Sequence, residues 1–140
     1  MIKVNIGGPE NIDLSEKVVT GVEFSIITPD DSNARATNQF IQLVITGKVI
    51  PSVSSADGEP TVALDKWAAV PDGMADAYRP VTATVIESGV TIREYKLPNA
   101  FVVNHQIDYS DDQGIGSFTL MVRQKKDKST AVTVNGGYAS

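Results

Sequence analysis

Alternating apolar runs, cut at intervals by glycine or proline, make up most of this chain and constrain its fold more than any other feature. "IKVNI" (2–6) and "NIDL" (11–14) flank Gly7–Gly8–Pro9, a strong turn signal. "KVVTGVEFSIIT" (17–28) is rich in β-branched residues, with Val22, Phe24 and Ile26 on one side, and Pro29 ends it. "NQFIQLVITGKVI" (38–50) places Ile41, Leu43 and Ile45 on a common face and stops at Pro51, because proline cannot donate to a ladder. The same period returns in 79–88, 90–97, 99–110, 116–124 and 131–136. Ser88–Gly89 reads as a tight hairpin turn. Within 90–97 the apolar parity shifts from Val90 and Ile92 to Tyr95 and Leu97, which predicts a bulge or bend.

Only one segment departs from this period. After the loop "PSVSSADGEP" (51–60), Leu64, Trp67, Ala68 and Val70 fit one short helix, with Thr61 as candidate N-cap and Asp65 in an early turn. "MADAY" adds one further turn. Trp67, the only tryptophan, is expected to pack onto a sheet. Short strands at steady spacing with one flanking helix predict a mainly β fold, either a β-barrel or a two-sheet sandwich. At 140 residues the chain is expected to form a single domain over 1–140.

Composition narrows the chemistry. There is no cysteine, so disulfides, thiolate zinc sites and cysteine nucleophiles are excluded. A net charge of −5 argues against nucleic acid, which needs a basic face. The one basic run, Arg123–Lys125–Lys126–Lys128, is interrupted by Asp127 and reads as a solvated strand end. The N-terminus has no apolar stretch suited to a signal peptide, and no segment approaches the ~18 apolar residues of a membrane span. Synthesis and folding in the cytoplasm are expected.

The single histidine, His105, lies in "NAFVVNHQIDYS". Simple alternation puts Phe101, Val103, His105, Ile107 and Tyr109 on one face, which reads as a partly buried histidine with backbone or hydroxyl partners. A general base needs a proton donor within reach. Asp108 points to the opposite face and Ser110 lies beyond the strand end, so no local Ser–His–Asp arrangement is expected. "DYSDDQG" offers Asp108, Ser110 and Asp112 at alternate positions, as calcium loops do. Its glycine comes one place late and Thr119 stands where the bidentate glutamate belongs, so an acidic solvated turn is the better reading. "GIGS" lacks the third glycine of a dinucleotide fingerprint and opens a strand rather than a helix. No catalytic residue, cofactor or metal ligand is assigned.

"TPDDSNARAT" (28–37) joins two strong β-runs through Asp30, Asp31, Ser32, Asn33, Ala34 and Arg35. Its alternatives are a salt-bridged loop tip and a contact arm reaching a neighbouring subunit.

"DDSNARATNQFIQLVITGKV", the stretch from "KWAAVPDGMADAYRP" through "PNAFVVNHQIDYSDDQGIGSFTLMVRQKKDK", and the ending "VNGGYAS" resemble a family of small proteins from Gram-positive gut-type bacteria. Their order of elements is similar to that of the Hcp-like and phage tail-tube superfamily. The resemblance implies a β-barrel or sandwich with a helix on its flank. It also implies closed rings of about six copies that stack into a hollow tube, a heterologous contact that closes on itself. The partners implied are further copies of the chain, cargo, and sheath or baseplate proteins, and the 28–37 loop would be the subunit contact. Thr82, Thr84, Asn104, Gln106, Thr119 and Arg123 are candidates for a polar lumen wall.

Two other functions remain to be weighed. A monomeric β-sandwich binding carbohydrate or a protein partner would need clustered exposed aromatics. With aromatics at 6%, Tyr78, Tyr95, Tyr109 and Tyr138 are its candidates. A hydrolase would require His105 at its centre.

Overall fold

The structure is a computed structural model that describes residues 1–9, 11–28, 40–49, 60–71, 73–109, 116–125 and 131–137. It contains β1 (Ile2–Ile6), β2 (Ile12–Leu14), β3 (Val19–Ile27), β4 (Phe40–Val49), α1 (Pro60–Ala68), a 3₁₀ turn (Ala75–Ala77), β5 (Arg79–Glu87), β6 (Val90–Tyr109), β7 (Gly116–Gln124) and β8 (Thr133–Asn135). The strands form one antiparallel sheet in the order β2–β1–β5–β6–β7–β4–β3, and β8 pairs with β6.

The expected choice between barrel and sandwich resolves into this one mainly β sheet, which is not closed by hydrogen bonds among the described residues. Its middle strand explains the shape. β6 is continuous through twenty residues, where sequence reading divided it at Pro98. Its first half pairs with β5 and its second with β7, and Ala100 belongs to both ladders. Between the Arg79–Ala100 and Val81–Leu97 pairs, β6 holds one residue more than β5, so Pro98 sits at a bulge. A bulge is the place inside a sheet where a proline's missing N–H costs least. The amide oxygen of buried Gln124 accepts the Asn99 N–H at 3.1 Å, and the Asn99 carbonyl accepts from Lys125 N–H at 2.8 Å, which repairs the ladder across the bend. The parity shift expected within 90–97 is a second bulge, at Ile92, opposite Val85 and Ile86.

The bend lets the sheet fold over its own apolar face. Val4, Ile6, Val81, Ala83 and Leu97 from one half meet Leu43, Ile45, Phe118, Leu120 and Val122 from the other, and all are buried. β1 lies against β3 across this core, and α1 covers it between β2 and β6. Trp67 is 1% exposed, and its indole N–H donates to the Ala77 carbonyl at 3.0 Å, so the core reading of the tryptophan holds. Thr61 is not the N-cap: the helix begins at Pro60, whose fixed φ suits a first helical position, and Thr61 is buried inside the first turn. "MADAY" forms the 3₁₀ turn.

Ser88 (φ 51°) and Gly89 (φ 76°) join β5 to β6. Two successive positive φ values match the twist of a two-residue hairpin.

Candidate functional site

The face assignment around His105 needs correction. Between the Val102–Val122 and Asn104–Met121 pairs, β6 carries an extra residue, Val103. This third bulge reverses the alternation. Phe101 pairs with Arg123 and faces outward, whereas His105 pairs with Leu120 and faces the core. Asp108 points outward, as expected, and bonds only weakly to the Gln106 amide, at 3.3 and 3.4 Å.

His105 is 7% exposed at its side chain, and its Nε2 lies 2.7 Å from Asp65 Oδ1. The partner is thus a carboxylate on α1, not the backbone or hydroxyl group expected from sequence. Nδ1 is buried and has no hydrogen-bond partner among the described residues. Nucleophilic catalysis needs a hydroxyl or thiol on the ring nitrogen opposite the acid. No described side chain occupies that place, and the pair links α1 to β6.

The sheet margins are chemically unequal. β2 and β8 are margins of three residues each. β3 is a margin of nine residues that pairs, among the described strands, only with β4. Natural edges are blunted by shortness, lysine, proline or inward charge. β3 has neither lysine nor proline, Glu23 is its one charge, and its bulge at Thr20 lies at the start of the strand, away from Ile26 and Ile27. Its last residues, Ile26 and Ile27, are 49% and 40% exposed. The proposed contact arm Asp30–Arg35 follows directly but lies outside the described residues.

Outward side chains form two surfaces. On one half, Lys3, Thr84 and Glu94 make one cross-strand row and Asn5, Thr82 and Lys96 the next, with Asn5 bonded to Asn11 and Asp13. Lys96 and Glu94 form an ion pair at 3.4 Å. On the other half, Gln42, Arg123 and Phe101 form a row. Arg123 Nε donates to Gln42 Oε1 at 2.9 Å, and its guanidinium lies 5.1 Å from the Phe40 ring centroid. Tyr78 meets Phe101 edge to face at 5.9 Å, and Lys125 Nζ lies 5.1 Å from the Tyr78 ring centroid. All six lumen candidates point outward, Thr82 and Thr84 on the first half and Asn104, Gln106, Thr119 and Arg123 on the second. Sequence reading missed the Phe40–Arg123–Phe101–Tyr78 constellation because its members come from four separate segments.

The described tyrosines lie apart. Tyr95 stacks on Phe24, and Tyr109, 69% exposed, lies at the far end of β6 from Tyr78. Tyr138 lies outside the described residues. No described helix is long and apolar enough to cross a membrane.

Solved structures share this arrangement over nearly the whole chain. Hcp1 from Flavobacterium johnsoniae is similar at 15% identity and a TM-score of 0.54, covering 96% of each chain. The fold is Hcp-like. A protein of the sheath/tube terminator of an extracellular contractile injection system, PVC, is similar at 12% identity and a TM-score of 0.56, covering 96% of this chain and 93% of that one. Hcp1 from the E. coli EAEC 042 pathovar is similar at 11% identity and a TM-score of 0.54, covering 98% and 99%. No protein-family model and no curated protein sequence matches the chain. The resemblance to the Hcp-like and tail-tube superfamily therefore holds at the level of fold.

Proposed function

We propose that this chain is a structural subunit that assembles with its own copies into rings and tubes of a phage-tail-like or secretion-type injection apparatus, without catalysing a reaction. The observation that carries this reading is the long β3 margin, unguarded by lysine or proline, on an open sheet of Hcp-like fold. An exposed edge is a template for another strand. Because the opposite margins of the sheet differ, pairing between copies is heterologous, and such contacts close into rings when the rotation permits. About six copies per ring is the number the tail-tube resemblance suggests. The Asp30–Arg35 loop, continuous with β3, is positioned in sequence to extend that contact. Sheath and baseplate proteins are the further partners of such a tube, and cargo would pass along a polar wall. The subunit would be made in the cytoplasm and leave it as part of the particle.

The test is size-exclusion chromatography with light scattering over a wide concentration range, followed by electron microscopy. Rings or longer species are expected. A strictly monomeric chain at high concentration removes the proposal.

A further inference from the structure

The second outward surface places its charges unevenly. Arg123 is held by an amide oxygen and an aromatic ring, and among the described residues no carboxylate pairs with it. The Lys96–Glu94 and His105–Asp65 ion pairs both lie elsewhere. An arginine without a carboxylate partner among the described residues stands out in a chain of net charge −5, where acids outnumber bases 17 to 12. Its neighbours Phe40 and Phe101, and Tyr78 against Phe101, are aromatic, and arginine with aromatics is the composition enriched at interface cores.

The same ladder carries the complementary charge at its other end. Asp108 is exposed, faces outward like Arg123, and among the described residues is held by Gln106. The Phe101–Arg123 pair and the Asp108–Ser117 pair lie near opposite ends of the β6–β7 ladder. At 3.3–3.4 Å per residue the two ends are roughly 20–25 Å apart.

We infer that the Arg123–aromatic end of the β6–β7 ladder receives the Asp108 end of the same ladder in a second copy, so that copies displaced along the strand direction stack head to tail. Arg123 offers a planar fork that a carboxylate can meet bidentately. Phe40 and Phe101 shelter that contact from water. The inference rests on the tube reading and supplies the contact between successive copies.

Charge exchange tests it. Sedimentation velocity over a concentration series, with electron microscopy of the same samples, compares the wild type with Arg123→Glu and Asp108→Lys. Thermal unfolding checks that each variant is folded. Each variant alone is expected to raise the concentration needed for stacking by about tenfold or more. An equimolar mixture should restore stacking, because each altered end then meets an opposite charge. Asp108 is exposed, so Asp108→Lys decides the matter even if Arg123→Glu disturbs the packing of Phe40. Stacking of either folded variant at the wild-type concentration overturns the inference and leaves the patch to a foreign partner. A mixture that fails to recover also overturns it. Wild-type rings that never stack overturn this inference while the ring-subunit proposal stands. A wild type that stays monomeric overturns both.

Discussion

Phe24 on β3 stacks on Tyr95 on β6, with ring centroids 4.4 Å apart and planes 15° from parallel. The two strands are not neighbours in the sheet. The contact therefore joins the outermost strand of one half to the middle strand of the other, where no backbone hydrogen bond does so. Phe24→Ala is expected to destabilise the monomer by about 2–4 kcal/mol, toward the lower end because Phe24 is only partly buried. A double-mutant cycle with Tyr95→Ala, read by urea denaturation, should give a coupling of about 0.5–1.5 kcal/mol. Additive effects would show that the rings do not cooperate.

The His105–Asp65 pair has a different signature. Asp65→Ala leaves Nε2 of a buried imidazole without its partner and should cost about 1–2 kcal/mol. Replacing both residues, as in His105→Leu with Asp65→Ala, removes the orphaned Nδ1 as well and should recover most of that loss. Denaturation midpoints of the single and double variants check this. A double variant less stable than Asp65→Ala contradicts it.

Gly47 on β4 is a close-approach site. A Cβ there would stand 2.5 Å from both the Phe118 ring and the Val18 carbonyl oxygen. Gly47→Ala is expected to cost about 1–3 kcal/mol through displacement of Phe118, measured as a lowered Tm.

Ser88 occupies a position that favours asparagine or glycine, at φ 51° in the β5–β6 turn. Ser88→Asn should raise stability by roughly 0.5 kcal/mol, since asparagine tolerates the left-handed region better. Thermal or chemical denaturation will read the shift.

The β3 margin can be blocked without touching the core. Ile27 is 40% exposed at its end, and Ile27→Lys places a charge where an approaching strand would lie. Light scattering is expected to show weaker self-association at an unchanged Tm. Assembly equal to the wild type would remove β3 from the contact.

Much of the fold is legible in the chain because alternation survives wherever one face is buried. Ile41, Leu43 and Ile45, the strands around Gly7–Gly8, the core tryptophan and the bulge near Ile92 follow from local pattern alone. The Val103 bulge does not, because Phe101, Val102 and Val103 are all apolar and parity is undefined along them. Pro98 misleads for a related reason, since proline ends a regular strand but is tolerated at a bulge. Asp65 and His105 are forty residues apart, and Arg123 meets Phe40 across a still longer separation, so only tertiary structure brings them together.

The length of β6 carries a mechanical consequence. One strand belongs to both halves, and Ala100 is paired on both of its sides. Loosening either half strips pairing from its part of the shared strand, which couples the two halves. A single unfolding transition, coincident by tryptophan fluorescence and circular dichroism, is the expected outcome, and a load applied to one half passes through covalent backbone to the other.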